Sequence, residues 1–246
     1  MKALINDTAD VTFTRKSDGK KIFTAEAQLA SISQAVTEEK LKGGIGNKTV
    51  ALLRSDKEIT LQVRNALFDL EWLSMTQGVA VKEDGTADIN HKEEDLVVTD
   101  NAGALEVTLK GTPTGTTAYI INAKGDVEEA AITGTKVTVP TGYAVAGEKV
   151  AVSYIKQVVG KLVSFDSKKF AENYAVEYHT IEYDPATNQV VADLYIQFDN
   201  TVPAGAFDLS FENGTAISPE LSFEALASAT GSEIGRMIEV PRVVTP

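Results

Sequence analysis

The 246-residue sequence contains no cysteine. Disulfides, thiolate nucleophiles and zinc–thiolate sites are therefore excluded together, and the absence is typical of a protein made in a reducing cytoplasm. A chain of this length can bury a sizeable core without a disulfide or a metal. The first residues, MKALINDTADV, place polar Asn6 and Asp7 directly after three apolar residues, so we expect no secretory signal. No apolar run approaches the ~18 residues of a membrane span, and we expect no membrane partner.

Basic residues are also scarce. The chain carries 23 Lys and Arg against 35 Asp and Glu, a net charge of −12. Residues 1–80 are close to neutral, with 11 basic and 10 acidic side chains, whereas residues 81–155 hold 6 against 12 and residues 156–246 hold 6 against 13. Phosphate binding needs a clustered basic face. We therefore expect a protein that does not grip nucleic acid, although it could face DNA without binding it.

Residues suited to catalysis or metal binding are few. His91 and His179 are the only histidines, and no serine elbow or HExxH motif accompanies them. The acidic groups at Glu93–Asp95 and near Asp126, and the stretch EDGTADIN, lack EF-hand spacing, so a solvated face is the simpler interpretation. Aromatic residues make up 7% of the chain, few for the sugar-binding platforms of a glycosidase cleft. We predict no enzyme: no catalytic residue, no metal and no cofactor.

The first third of the chain predicts long β-strands. Asp18-Gly19 indicates a hairpin turn, because both residues tolerate a positive φ. After this turn, apolar and polar residues alternate as far as Val36. A second strand stretch, KTVALLRSDKEITLQVRN, follows the glycine loop and ends at Asn65, with Ile59, Leu61 and Val63 alternating with polar residues. Between these strands, KGGIGNKT resembles a phosphate loop, but neither GxGxxG nor GxxxxGK[ST] is present and no helix is predicted to follow. We predict an exposed, flexible, basic loop over Thr37–Lys48 and no nucleotide site.

The stretch NALFDLEWLSMTQG changes to a helical period. Its apolar residues recur at spacings of three and four, which predicts one amphipathic core helix of about three turns. Asn65 is the predicted N-cap and Gly78 the predicted end. The candidate core residues of this helix are Leu67, Leu70, Trp72 and Leu73.

Residues 81–155 differ from the rest of the chain. Short alternating strands such as LEVTL, AYII and KVAVSYI are separated by turn signals at spacings of roughly 8 to 12 residues. This pattern predicts a small inserted Ig-like β-sandwich, although an added β layer of the main domain is also open. Longer strands return over residues 156–246. The fold class is therefore mainly β with one flanking α-helix, as a discontinuous domain (1–80 and 156–246) plus an insertion (81–155).

Acidic residues occupy the polar faces of the late strands VVADLYIQFD and FDLSFE. The order of elements along this chain resembles that of the major tail tube proteins of tailed bacteriophages. A long hairpin strand is followed by the glycine loop, a second strand, the helix NALFDLEWLSMTQG and the β insertion. The last part of the pattern is VVADLYIQFDNTVPAGAFDLSFENGTAISPELSFEALA, with the ending SEIGR. The resemblance covers about residues 10–80 and 150–240. It implies a tail-tube-type β-sandwich or barrel, and stacked hexameric rings whose sheets join into one inner barrel through which DNA passes without specific binding.

The resemblance also implies partners and a location. The partners are further copies of the chain, a tape-measure protein, a tail-terminator protein and baseplate or tail-tip proteins, and the location is the virion tail after assembly in the host cytoplasm. The insertion would decorate the outside of the tube. The loop Thr37–Lys48 would reach an adjacent ring or subunit, and its lysines could meet acidic surface there. The candidate residues of this inter-subunit loop are Lys40, Lys42, Gly43, Gly44, Gly46 and Lys48.

A lumen lined by carboxylates would repel phosphate rather than bind it. The candidate lumen-facing acids are Glu26, Asp193, Asp199, Asp208 and Glu212, with exposure to bulk water as an equally open alternative. Two other functions remain open at this point: a surface or adhesin-type β-sandwich binding module, which the Ig-like middle favours, and a glycan-active enzyme with an accessory sandwich.

Overall fold

The computed structural model describes residues 3–24, 27–205, 209–214, 217–228 and 231–242. Strands dominate these ranges, so the predicted mainly β fold class is confirmed. The chain divides into two compact units, residues 1–81 with 163–246 and residues 82–162. The elements in chain order are β1 (Asp10–Arg15), β2 (Lys21–Thr24), β3 (Ala27–Gly43), β4 (Lys48–Asn65), α1 (Leu70–Gln77), β5 (Lys82–Val97), β6 (Thr99–Asn101), β7 (Ala104–Thr108), β8 (Thr117–Ile121), β9 (Val127–Thr133), β10 (Lys136–Thr138), β11 (Lys149–Leu162), β12 (Tyr174–Tyr183), β13 (Val190–Pro203), β14 (Glu220–Ala225) and β15 (Arg236–Pro241).

The first unit is built on one antiparallel sheet in the order β2-β1-β12-β13-β14-β4-β3. β15 also pairs with β13, next to the stretch of β13 that pairs with β14. The predicted hairpin at Asp18-Gly19 joins β1 to β2, and Gly19 has a φ of 71°. As described, this sheet is open rather than a closed barrel.

The core of the first unit forms where the buried strand faces meet α1. Phe13 of β1 stacks on Phe223 of β14 with ring centroids 5.0 Å apart, and it meets Trp72 of α1 edge-on at 5.9 Å. Aromatic pairs of this geometry add about 0.5–1.5 kcal/mol beyond the area that they bury. Alternation in the sequence fixes which side chains enter this core, since every second residue of a strand points to the same face.

The helix begins later than the sequence predicts. Its N-cap is Asp69, whose carboxylate accepts a hydrogen bond of 3.1 Å from the backbone N–H of Glu71. The predicted N-cap Asn65 is wrong, because Asn65 ends β4 as a buried residue and accepts a 3.0 Å hydrogen bond from the Thr24 hydroxyl. The helix therefore has eight residues, and it ends as predicted at Gly78 in the left-handed conformation.

The helix contributes less to the core than its apolar content predicts. Trp72 is 2% exposed, and Leu70 and Leu73 are half-buried. Leu67 as a core-helix residue is wrong, because it precedes the helix and is 58% exposed. With the helix starting at Leu70, the first predicted turn is not helical, and its apolar side chains Leu67 and Phe68 remain exposed.

The second unit has its own antiparallel sheet in the order β5-β11-β8-β9-β10-β7-β6. β9 pairs with β8 along most of its length and with β10 at its end. A separate core gathers buried side chains from six of these strands and the turns that follow them, including Val107, Ile120, Val137 and Val152.

The second unit starts and ends at one place, because Lys82 and Leu162 are paired residues of β5 and β11. The predicted boundary after residue 155 falls inside β11, which stays paired with β5 up to Leu162. β5 was not predicted as a strand. Its sequence, KEDGTADINHKEEDLV, is almost entirely polar and carries no clear alternation.

Glu93 of β5 corrects the expectation of a solvated acidic face. Its side chain is 7% exposed, and its carboxylate accepts hydrogen bonds from the Tyr154 hydroxyl (2.6 Å) and from the backbone N–H groups of Lys110 (2.9 Å) and Gly111 (2.8 Å). Burial raises the pKa of Glu93, but these three hydrogen bonds together outweigh burial and hold the pKa below its usual value. Burial, followed by the bond to Glu93, raises the pKa of Tyr154 to about 12.

Replacing Glu93 with Gln is expected to destabilise the second unit by about 1.5–3 kcal/mol at pH 7. The carboxylate accepts hydrogen bonds at both oxygens, and the amide NH₂ that replaces one oxygen cannot accept a bond from Tyr154, Lys110 or Gly111. A depressed carboxyl pKa stabilises the fold above the unfolded-state value, near 4.5 for Glu, and that contribution is lost as pH falls through the folded-state pKa. The difference in free energy of unfolding between parent and variant, measured by urea unfolding, should therefore become smaller below about pH 4.5. Glu94→Gln, at a 67% exposed side chain, is the control and should match the parent.

Candidate assembly surface

β3 and β4 extend beyond the rest of the first unit as a two-stranded hairpin, and we name residues 33–58 the arm. β14 pairs with β4 only from Ile59 to Arg64, so further out β4 pairs with β3 alone. All residues of the arm are exposed except Gly43 and Ala51, which are half-buried. A two-stranded ribbon with both faces in water is marginally stable on its own.

A tight turn closes the arm over Gly44–Asn47. Gly44, Gly46 and Asn47 have φ values of 75°, 89° and 52°, and the Asn47 N–H donates a 3.1 Å hydrogen bond to the Gly44 carbonyl. Positive φ is readily adopted by Gly and tolerated by Asn, so the GGIGN sequence suits this turn. The glycines thus have a specific conformational role.

The predicted flexible loop over Thr37–Lys48 is wrong, because β-pairing continues to Gly43 opposite Lys48. Glu38 and Arg54 pair across the arm at 3.0 Å and support this register. Among the predicted loop residues, Lys40, Lys42 and Gly43 lie on β3, Gly44 and Gly46 lie in the turn, and Lys48 starts β4.

The distal arm exposes large apolar side chains. Ile45 at the turn is 100% exposed, Val50 67%, and Leu41 and Leu53 54% each. Burying one such side chain completely is worth about 1.5–3 kcal/mol. This end of the arm is therefore suited to contact with another surface.

The same end of the arm is basic. Residues 40–54 contain Lys40, Lys42, Lys48 and Arg54 and no carboxylate, whereas the rest of the chain has 19 basic against 35 acidic side chains. Arg54 pairs with Glu38, but the three lysines form no ion pair within the described ranges. An apolar, basic tip on an otherwise acidic chain is complementary in charge to most of the chain's own surface.

A second apolar surface lies beside α1, and we name it the α1 groove. It is lined by Phe68, Trp72, Leu73, Leu209, Pro219, Glu220 and Leu221, and encloses about 20 Å³. Phe68 is 46% exposed at the rim, whereas Trp72 and Leu221 are buried. The N-cap Asp69 lies next to Phe68 in the chain, and Glu220 holds a 2.6 Å ion pair with Arg64.

Two of the predicted lumen-facing acids are already paired. Asp193 receives two 2.7 Å hydrogen bonds from Arg242 and contacts His179 at 2.9 Å. The Arg242 bonds, followed by that to His179, hold the pKa of Asp193 well below its usual range. Asp199 lies 3.4 Å from Arg236. Both carboxylates lie on the face of β13 opposite its buried side chains, but neither is an isolated negative charge.

Of the other three predicted acids, only Glu212 lies among the described residues. Glu212 is exposed in a segment, Leu209–Glu212, that forms no strand, so the strand predicted for FDLSFE is absent from its described part. Glu26 and Asp208 lie outside the described residues, and so does Phe207, which precedes Asp208 in FDLSFE.

Sequence reasoning missed the arginines that neutralise Asp193 and Asp199. Arg236 begins β15 and Arg242 follows it, and every residue of β15 is exposed. An exposed edge strand has no buried face, so the sequence shows no apolar alternation from which to predict it. The charge pattern of RMIEVPR, opposite in sign to the acids of β13, was the one available signal.

The described residues bring no three His, Asp or Glu side chains together where they could hold a metal ion. No helix in the same ranges is long and apolar enough to cross a membrane.

The fold and the arm define a mainly β protein with a projecting apolar, basic hairpin. The model of the YomU/Tube protein family matches residues 3–240, and the chain belongs to this family. The resemblance drawn from the sequence is thereby confirmed at the level of the family.

Two relatives extend the comparison. The chain is 49% identical over 243 residues to the tail tube protein of Bacillus phage SPR, covering 98% of this chain and 90% of that protein. It is 38% identical over 241 residues to the SPbeta prophage-derived uncharacterized protein YomU of Bacillus subtilis (strain 168), covering 98% of this chain and 88% of that protein.

Proposed function

We propose that this chain is a structural subunit of a phage tail, where it assembles with copies of itself into the tail tube. The observation that carries the proposal is the arm, whose apolar and basic end faces water in the isolated chain. The 49% identity to a protein named as a tail tube protein supports the same role. The role is structural and requires no catalytic residue.

The proposed assembly is a stack of hexameric rings. β3 has no strand on its outer edge within the described residues, and an open edge can continue its sheet into a neighbour. A head-to-tail contact repeated with a closing rotation produces a ring. The arm then contacts a neighbouring subunit or ring through Lys40, Lys42, Lys48 and the apolar side chains around the turn.

The proposed lumen is acidic overall and lets DNA pass without holding it. The net charge of −12 supports repulsion of phosphate, although the ion pairs of Asp193 and Asp199 reduce their individual contributions. Further proposed partners are the tape-measure, tail-terminator and baseplate or tail-tip proteins. Assembly takes place in the host cytoplasm and the product resides in the virion tail.

Purified full-length protein tests this proposal by light scattering and negative-stain electron microscopy over a range of concentrations. The expected result is rings or tubes with a central channel, by itself or after addition of phage assembly factors. A chain that stays strictly monomeric at high concentration, even with those factors, would contradict the tube role.

A further inference from the structure

We infer that the tip of the arm of one copy docks in the α1 groove of a second copy. This inference rests on the proposed tube function and deepens it, since it names the surface that receives the arm. The donor is the turn with Ile45, and the acceptor is the groove formed by Phe68, Leu73 and Leu209.

The donor and acceptor cannot meet within one chain. The tip lies before Lys48 at the start of β4, and the groove begins at Phe68, just after β4 ends at Asn65. An 18-residue strand spans roughly 60 Å at about 3.3 Å per residue. The two surfaces therefore lie at opposite ends of one long strand, and only another copy can bring them together.

The size of the groove fits a side chain better than a ligand. Its volume of about 20 Å³ has room for little more than the end of one aliphatic side chain, far below the ~300 Å³ or more of a small-molecule site. Ile45 is fully exposed at the turn and presents such an end. Trp72 and Leu221 supply an apolar floor against which it can pack.

The charges around the two surfaces are complementary. Lys42 and Lys48 flank the turn, whereas Asp69 stands beside Phe68 and has no ion pair within the described residues. Glu220 also lines the groove, with its charge shared by Arg64. Exposed ion pairs contribute only about 0–1 kcal/mol each, so these charges orient the arm while apolar burial supplies most of the affinity.

A donor at one end and an acceptor at the other make the contact heterologous, so it repeats from copy to copy. The displacement between the grooves of two linked copies equals the vector from groove to tip within one copy. Ile45 and Phe68 are 23 residues apart, so at about 3.3 Å per residue the axial spacing of copies linked this way cannot exceed roughly 75 Å. A larger ring spacing in micrographs would overturn the inference.

Cysteine cross-linking tests the contact directly, because the natural chain has no cysteine to compete. The full-length double variant Ile45→Cys/Phe68→Cys is assembled, oxidised and run on a non-reducing gel. We expect a ladder of covalent multimers that collapses to monomer on reduction. A disulfide requires Cα atoms within about 7 Å, so the ladder reports contact rather than proximity. Ile45→Cys/Leu209→Cys is a second variant on the same groove and should behave alike.

The matched control is Ile45→Cys/Val127→Cys, which places the acceptor thiol at a 61% exposed residue of the second unit. We expect this control to give at least fivefold less covalent multimer on the non-reducing gel than Ile45→Cys/Phe68→Cys. Equal ladders from both pairs, or assembled tubes with no ladder from either groove variant, would overturn the docking inference while the tube function stands. Failure of the parent chain to assemble would instead overturn the proposed function, and the docking inference with it.

Discussion

Replacing Leu41 and Leu53 together with Ser is expected to prevent assembly without unfolding the subunit. Leu41 pairs with Ala51, which makes Leu53 its diagonal neighbour on the same face of the arm, and each is 54% exposed. Because both leucines face water in the single chain, their loss removes little packing from the isolated fold. In an assembled contact each would contribute about 1.5 kcal/mol or more through burial. Losing roughly 3 kcal/mol weakens each contact by about 100-fold, and the loss recurs at every subunit.

The measurement compares light scattering and electron micrographs of the variant with those of the parent at a concentration where the parent assembles. Circular dichroism and thermal unfolding check that the variant is folded. The control is Val127→Ser/Val145→Ser, which removes side chains of 61% and 62% exposure from the second unit and should assemble as the parent does. Normal tubes from Leu41→Ser/Leu53→Ser would exclude the distal arm as the main source of contact energy.

The parts of the fold that could be predicted from the sequence are those with one buried face. In the β13 stretch VVADLYIQFD, alternation places Ala192, Leu194 and Phe198 on the face opposite the acidic residues, and all three are buried. The β1–β2 hairpin and the end of α1 at Gly78 were also predictable, because Asp-Gly and glycine after a helical stretch have local conformational causes. Alternation and turn chemistry are properties of short segments, so a single sequence displays them directly.

The part of β3 beyond Val36, together with β5 and β15, could not be predicted because these segments show no regular apolar alternation. Both faces of the arm are exposed, so Glu38, Lys40 and Lys42 occupy strand positions where alternation would predict apolar residues. A stretch without a one-sided apolar pattern predicts a loop, whereas here it belongs to a strand that buries neither face within its own subunit. The role of the arm as a contact surface was nevertheless a sequence-based prediction, drawn from a family resemblance and not from periodicity.

The missed N-cap has a different cause. Asn65 and Asp69 are both good caps by residue type, and they lie four positions apart in the chain. Long-range pairing decides between them, because Thr24 of β2 binds the Asn65 side chain and keeps it at the end of β4. A single sequence does not reveal which distant strand will compete for a capping residue.

Gly78→Ala is expected to destabilise the first unit by more than about 3 kcal/mol, a loss well above that of most single substitutions. Gly78 ends α1 with a φ of 60°, a conformation that costs an L-residue roughly 1–2 kcal/mol. A Cβ at this position would also lie 1.8 Å from the Phe170 carbonyl oxygen and 2.6 Å from its carbon. Because these are backbone atoms, the steric clash can be removed only by moving the segment between β11 and β12 or the end of α1 itself.

Gly19→Ala separates the two costs. Gly19 has a similar φ of 71°, but a Cβ there meets no atom within 4 Å, so only the backbone term applies. Urea unfolding should give a loss of about 1 kcal/mol for Gly19→Ala and at least about 2 kcal/mol more for Gly78→Ala. Equal losses of unfolding free energy for the two variants would contradict this prediction, because they would mean that the backbone around Phe170 can move aside without destabilising the fold.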